Sequence, residues 1–142
     1  MTNSYKQKIS SWIFFATGIL ISIIGVVFIT LRPLVVLLPE DSRYTGLTPD
    51  QLKVIDPRLF SWIGMVFRSW GAFALGLGIM IVMLTANAHK RRERWAWWTL
   101  AAVGFTSLTG FIVVNIFLKS DYLLLLIVWL VLYGIAIWFG RS

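Results

Sequence analysis

Four long apolar stretches, separated by short polar segments, set the strongest limit on what this chain can fold into. They cover residues 12–31, 61–84, 97–118 and 122–139. A helix needs about 20 mainly apolar residues to cross about 30 Å of hydrocarbon. Only 13% of the residues are charged, whereas soluble domains carry about 25%. We therefore predict an all-α, four-helix transmembrane bundle that forms a single integral membrane domain over residues 1–142.

The distribution of basic residues predicts the topology. With the N-terminus inside, seven basic residues and one acid lie on the cytoplasmic side, and five basic and five acidic residues lie outside. Cytoplasmic loops carry an excess of lysine and arginine. The strongest signal is the cluster of Lys90, Arg91, Arg92 and Arg94, which lies close to two predicted helix ends. Both termini are therefore predicted to be cytoplasmic. The absence of an organelle-type leader favours the inner (plasma) membrane, crossed several times.

The segment between the first two spans is the only sizeable polar region. Arg32 lies where the first helix is expected to end or bend. Thr48 at the N-cap, Pro49 at N1 and Gln51 at N3 then predict a short helix of about two turns. Pro57 repeats the signature, so the second long helix is predicted to begin near it. In the predicted topology, this short helix is external.

Small residues form stripes along three of the spans, and small residues let helices approach closely in lipid. We expect the stripe on the first span to face the stripe on the second. On the third span, the expected packing face contains Ala102, Thr106 and Thr109. The stripes on the first two spans consist of Gly18, Ser22 and Gly25, and of Gly64, Gly71 and Gly78.

Arg68 is the one charged residue inside a predicted span, which makes it a candidate ligand-binding residue. Burial against a partner and snorkelling towards the headgroups both explain it. Asn115 and Thr30 lie at a similar predicted depth and are candidate partners, and a lipid phosphate would suit the guanidinium. Asn115 is the second candidate ligand-binding residue, and it is expected to form hydrogen bonds between helices.

The basic cluster suggests a second candidate site. Lys90, Arg91, Arg92 and Arg94 would attract anionic lipid headgroups with up to about 1 kcal/mol for each residue. His89, the only histidine, lies beside them and is expected to be solvated rather than a metal ligand. No catalytic residue, metal site or cofactor is predicted, because no nucleophile with a base and no paired carboxylates can be assembled.

The segment 46–59, followed by Arg68 and the glycines Gly71, Gly76 and Gly78, resembles small prokaryotic four-helix membrane proteins. These proteins are grouped around the DoxX-like and related families of unknown function. In layout, the resemblance covers most of the chain. It implies a four-helix membrane bundle and carries over neither an activity nor a catalytic residue.

These features lead to three functional hypotheses. The first is a non-catalytic accessory or structural subunit that packs against other membrane proteins or a second copy of itself. The second is a binder or carrier of a lipid or apolar molecule, in which Arg68 holds an anionic group. The third is a membrane enzyme. The expected partners are membrane lipids and other membrane subunits, and nucleic acid is not expected because no binding motif is present.

Overall fold

The computed structural model describes residues 3–141, and this part of the chain is helical and contains no strand. Four of its helices are long and apolar enough to cross a membrane. The predicted all-α class is therefore confirmed, as is the presence of four helices that are long and apolar enough to span a membrane; the bounds of the spans stay a prediction. The elements are α1 Asn3–Thr30, α2 Pro39–Thr45, α3 Pro49–Ile55, α4 Pro57–Leu84, a π-helical turn Thr85–His89, α5 Arg94–Phe117 and α6 Leu123–Gly140.

The chain divides into two compact units, and each is described by itself. Unit 1 comprises Met1–Leu20 and Gly78–Ser142, and unit 2 comprises Ile21–Leu77. The helices α1 and α4 contribute a part to each unit. The single membrane domain predicted from the sequence stays a prediction.

Unit 2 is built on a close approach between α1 and α4. A Cβ atom added at Gly25 would lie 2.5 Å from the backbone nitrogen of Leu75 and 2.8 Å from the backbone oxygen of Gly71. A Cβ atom at Gly71 would lie 2.7 Å from the Gly25 oxygen. Only glycine fits at these two positions, because the colliding atoms belong to the neighbouring backbone. The predicted contact between the two glycine stripes is confirmed here.

The two short helices of unit 2 begin at their proline signatures. Thr48 and Gln51 form the predicted capping box. The Thr48 backbone N–H donates to Gln51 Oε1 at 2.8 Å, and the Gln51 backbone N–H donates to Thr48 Oγ1 at 3.2 Å. The helix α3 thus follows the sequence signature, and α4 begins at Pro57 as predicted. The preceding helix α2 was not predicted. It ends at Thr45 and is capped by Gly46, whose φ of 71° suits glycine. The side of the membrane on which these helices lie stays a prediction.

In unit 1, α5 and α6 form a hairpin centred on Tyr133. Tyr133 is fully buried, its hydroxyl donates to the Leu100 carbonyl at 2.8 Å, and its ring fills the space where Gly104 lacks a side chain. On the predicted packing face of the third span, Ala102 and Thr106 are exposed, and only the hydroxyl oxygen of Thr109 is buried. The buried face of α5 instead contains Ala96, Leu100, Gly104, Leu108, Ile112 and Asn115.

The topology leads to a labelling prediction. Cysteine placed at the exposed position Lys53 on α3 should react with an impermeant thiol reagent added outside intact cells. Cysteine at the exposed position Ser4 should react only after the cells are opened. The chain has no native cysteine, so any signal comes from the introduced residue. The opposite labelling pattern would contradict the predicted cytoplasmic N-terminus.

Candidate anionic-ligand site

The two residues predicted to bind a ligand within the spans lie in different units, and each is described by itself. Arg68 is exposed on α4 of unit 2. No hydrogen bond or ion pair joins it to any of the residues 3–141, so it has no partner in this part of the chain, and its role in binding a ligand stays a prediction. Asn115, on α5 of unit 1, is buried. Its amide donates to the Phe111 carbonyl of its own helix at 2.8 Å instead of bridging helices.

The buried arginine of unit 2 is Arg32, just beyond the end of α1. Its Nη2 lies 2.5 Å from Asp41 Oδ2, and its Nη1 donates to the carbonyls of Val35 and Val36. The guanidinium also lies over Phe67, with Cζ 4.2 Å from the ring centroid. These partners come from the turn after α1, from α2 and from α4, so Arg32 ties the connecting segment to the two long helices. Both Nη atoms therefore have partners within unit 2.

A buried polar cluster centred on His89 lies in unit 1. His89 is 1% exposed, so the prediction of a solvated histidine was wrong. The reason is the π-helical turn Thr85–His89, which continues α4 and carries His89 towards α1. There, His89 Nε2 lies 3.1 Å from Ser10 Oγ, and Gln7 Nε2 donates to the His89 carbonyl at 2.9 Å.

Helix α6 completes this cluster. The Ser10 hydroxyl donates to the Ala136 carbonyl at 2.7 Å, and the Trp97 indole N–H donates to the Ile137 carbonyl at 2.9 Å. A Cβ atom added at Gly140 would lie 2.7 Å from Ser10 Oγ and 2.8 Å from His89 Cε1. The absence of a side chain at Gly140 is therefore what lets α1, the π-helical turn and α6 meet around the imidazole.

A cleft of about 430 Å³ opens beside His89. Three arginines border it, against a single acid, Glu93. The Glu93 carboxylate already accepts a hydrogen bond from the Trp95 indole. We call this the basic cleft, and it is lined by His89, Arg92, Glu93, Arg94, Trp97, Trp98, Gly140 and Arg141. Its excess of positive charge and its arginine forks suit a phosphate or carboxylate.

A second groove lies along the end of α4 and reaches the same loop. Its apolar part is formed by Met80, Met83 and Leu84, and its polar end contains Arg91 and Glu93. Glu93 therefore borders both the basic cleft and this groove. The groove combines an apolar wall with a cationic end, as a phospholipid chain and headgroup would require.

The predicted headgroup cluster is thus divided by the structure. Arg92 and Arg94 line the basic cleft, Arg91 lines the groove, and Lys90 is exposed and lines neither. Sequence reasoning missed His89, Gln7, Ser10 and Gly140, and it counted Arg141 only as a topological charge. One signal was available, although a weak one: Gln7 and Ser10 are three positions apart and so share a face of α1, but they lie in its polar first turns, among Lys6, Lys8 and Ser11.

No family model matches this chain, and neither does any curated protein or any solved structure. The function must therefore be argued from the geometry of the chain itself.

The loop at the basic cleft carries a strained residue, which leads to a stability prediction. Arg92 has a φ of 60°, a conformation that glycine adopts at less cost. We expect Arg92→Gly to raise the free energy of unfolding by about 1 kcal/mol, measured by thermal unfolding in detergent, while weakening anion binding in the cleft.

Lys119 provides a matched control for this change. Its φ of 50° is also positive, but it does not line the basic cleft. Lys119→Gly should therefore give a similar gain in stability without a change in anion binding. If both variants lost anion affinity equally, the assignment of Arg92 to the cleft would be wrong.

Proposed function

We propose that this chain is a non-catalytic integral membrane protein that binds the headgroup of an anionic lipid in the basic cleft. The observation that carries the proposal is the convergence of Arg92, Arg94 and Arg141 around a cleft beside the buried His89. A volume of about 430 Å³ falls within the usual range for small-molecule sites, about 300–1,000 Å³.

The position of the cleft along the helices supports a lipid as the ligand. One candidate span ends at His89, another begins at Arg94, and a third ends at Gly140. The cleft thus lies where candidate spans end, and in a membrane we expect headgroups at this level. Trp97 and Trp98 line it, and tryptophan is enriched at this level of a membrane. In the predicted topology this is the cytoplasmic leaflet, whose surface is negatively charged.

The adjoining groove supports the same proposal. A lipid whose headgroup lies in the basic cleft has an apolar wall nearby for an acyl chain, formed by Met80, Met83 and Leu84. Methionine side chains adapt to irregular apolar ligands because they are unbranched and flexible. A soluble anion has no acyl chain and would make no contact with this apolar wall.

Lipid binding was one of the hypotheses from the sequence, which expected Arg68 to hold the anionic group. We propose instead that the basic cleft holds it. The hypothesis of an accessory subunit rests on the apolar side chains exposed on α5 and α6, such as Phe117, Leu124 and Trp138. Lipid and a second subunit would cover these side chains equally well, so they favour neither hypothesis. The resemblance to the DoxX-like families stays a proposal about layout.

The test compares lipid binding of the wild type and of the combined variant Arg92→Gln, Arg94→Gln, Arg141→Gln. Lys90 and Arg91, two of the four basic residues of the loop, remain in this variant. Affinity for an anionic phospholipid, titrated into detergent-solubilised protein and read by native mass spectrometry, should fall about 100-fold. This follows from about 1 kcal/mol for each basic residue. Affinity for a zwitterionic lipid should not change.

The matched control removes the same number of charges elsewhere, through Lys53→Gln, Arg58→Gln and Lys119→Gln. None of these residues lines the basic cleft, so this variant should keep the affinity of the wild type. Equal anionic-lipid affinity in all three proteins would overturn the proposal. A stoichiometric partner protein on the wild type, with no dependence on the three arginines, would favour the accessory-subunit hypothesis instead.

A further inference from the structure

We infer that the lipid in the basic cleft carries two phosphates, joined by a glycerol whose central hydroxyl is free. One phosphate lies in the basic cleft, the second lies beside Arg91 at the polar end of the adjoining groove, and the hydroxyl donates to Glu93. This headgroup rests on the proposed function of the basic cleft and specifies the class of lipid. It follows from how the loop between α4 and α5 distributes its charges.

The backbone of this loop directs two neighbouring arginines into two different cavities. Arg91 lines the groove and Arg92 lines the basic cleft, although adjacent Cα atoms are only about 3.8 Å apart. The loop has the two hydrogen bonds of a Schellman motif. The Arg92 N–H donates to the His89 carbonyl at 2.9 Å, and the N–H of Glu93 donates to the carbonyl of residue 88 at 3.1 Å. Arg92 is left-handed, with a φ of 60°, so the helical path ends there and the two side chains diverge.

The arginine at the left-handed position indicates a ligand in the cleft. Glycine is the usual residue at this position of the motif, because a Cβ atom is strained there. Residues held in such conformations cluster at ligand-binding sites. Arg92 is exposed, so burial of its side chain does not offset the strain. An anion in the basic cleft would offset it.

The two cavities carry more positive charge than one phosphodiester balances. Four arginines and one glutamate line them, which gives a net charge of +3 with His89 neutral. A phosphodiester in the basic cleft brings a single negative charge and leaves Arg91 without an anion in the groove. Arg91 forms no ion pair with any of the residues 3–141. A second phosphodiester beside Arg91 supplies the acceptor oxygens that suit a guanidinium.

The acid shared by the two cavities explains the free hydroxyl. Glu93 lines both the cleft and the groove, so a ligand that spans them passes its carboxylate. One carboxylate oxygen accepts a hydrogen bond from the Trp95 indole, and a carboxylate has further lone pairs that accept others. A glycerol linker places one hydroxyl donor midway between two phosphates. This order of anion, donor and anion complements the arginines and the glutamate of the two cavities.

The dimensions of the two cavities suit such a headgroup. The basic cleft holds about 430 Å³ and the groove about 470 Å³, and each volume falls within the usual range for small-molecule sites. Each therefore has room for one phosphate and the first atoms of its acyl chains. The apolar wall formed by Met80, Met83 and Leu84 continues from the polar end of the groove, where the chains of the second phosphate begin.

Three lipids with the same acyl chains separate the parts of this headgroup in the wild-type protein. Diphosphatidylglycerol has both phosphates and the central hydroxyl, its 2′-deoxy analogue lacks the hydroxyl, and phosphatidylglycerol has one phosphate. Each is titrated into detergent-solubilised protein and read by native mass spectrometry. Diphosphatidylglycerol should bind about fivefold more tightly than phosphatidylglycerol, the effect of one basic residue. It should bind about tenfold more tightly than the deoxy analogue, the effect of one hydrogen bond to a charged group.

Arg91→Gln removes the cation at the second phosphate, and Lys90→Gln is its matched control. Both residues are exposed neighbours in the same loop, but Lys90 lines neither cavity. Arg91→Gln should abolish the preference for diphosphatidylglycerol over phosphatidylglycerol and leave the affinity for phosphatidylglycerol unchanged. Lys90→Gln should keep the preference. An equal loss of preference in both variants would overturn the placement of the second phosphate, because the charge of the loop alone would account for it.

Glu93→Gln tests the contact with the hydroxyl. The variant keeps an acceptor of similar shape without the charge. The difference between diphosphatidylglycerol and its deoxy analogue should fall to about threefold, because hydrogen bonds to a charged group are roughly twice as strong as neutral ones. An unchanged difference would contradict the contact between the hydroxyl and Glu93.

Failure of this headgroup and failure of the proposed function give different results. Equal wild-type affinity for diphosphatidylglycerol and phosphatidylglycerol, with both weakened in the Arg92→Gln, Arg94→Gln, Arg141→Gln variant, would overturn the headgroup and leave the proposed function intact. Unchanged affinity of that variant for every anionic lipid would overturn the proposed function. Glycerol 1,3-bisphosphate, which has no acyl chains, should not displace the lipid at the same concentration. Full displacement by it would overturn the assignment to a lipid.

Discussion

Arg32→Ala is expected to lower the free energy of unfolding by about 3–5 kcal/mol, the usual effect of breaking a buried ion pair. The side chains of Arg32 and Asp41 are only 9% and 18% exposed. The substitution leaves the Asp41 carboxylate without its cation, and the carbonyls of Val35 and Val36 lose their guanidinium donor. It also removes the cation from the face of the Phe67 ring. Thermal unfolding in detergent measures the loss.

Arg68→Ala is the matched control, since it removes the same side chain from the same unit. Arg68 is exposed and makes no hydrogen bond or ion pair within residues 3–141. We expect its removal to change the free energy of unfolding by less than about 0.5 kcal/mol. Equal destabilisation by the two substitutions would contradict the buried ion pair between Arg32 and Asp41.

Gly71→Leu should have the second largest effect, a loss of about 3 kcal/mol at the upper end of the usual range for overpacking. A Cβ atom alone would already lie 2.7 Å from the Gly25 carbonyl oxygen and 2.8 Å from the Ile29 nitrogen. Both atoms belong to the backbone of α1, so no side-chain rotation relieves the collision. The helices α1 and α4 must separate in unit 2, which removes their close packing.

Gly76→Leu tests whether this loss comes from the contact or from the change of residue type. Gly76 lies on the same helix and in the same unit, but a Cβ atom there would meet nothing within 4 Å. The variant should be as stable as the wild type or slightly more stable, because leucine favours helix over glycine. Similar unfolding temperatures for the two leucine variants would contradict the glycine contact.

Features that depend on local sequence were predictable. The four spans follow from hydropathy and length, and α3 follows from the capping box formed by Thr48 and Gln51, because both signals act within a few residues. The contact between Gly25 and Gly71 was also predictable, since small residues on facing helices leave few other arrangements in lipid.

The features that depend on helix rotation were not predictable. The depth of Arg68 in its span says nothing about which side of α4 it occupies, and the structure places it on the exposed side. Arg32 is buried because Asp41 and Phe67, distant in sequence, meet it. On α5, Gly104 packs against Tyr133. The size of residues on one helix could not reveal this contact.

The candidate site was only partly visible in the sequence. The basic cluster was recognised, but His89 was expected to be solvated. That expectation assumed that α4 ends before His89, whereas the π-helical turn extends it. The contribution of Gly140 depends on where α6 ends relative to α1, which no local pattern specifies.

The proposed binding of an anionic lipid headgroup in the basic cleft is tested most directly by mapping where such a headgroup lies on the protein. An anionic phospholipid with a diazirine on its headgroup is bound to wild-type protein, irradiated, and located by mass spectrometry of the peptides. We expect crosslinks concentrated on the residues that line the basic cleft, within 89–98 and 140–141, and their loss in the Arg92→Gln, Arg94→Gln, Arg141→Gln variant. Crosslinks spread along the exposed faces of the helices, with equal yield in that variant, would contradict it.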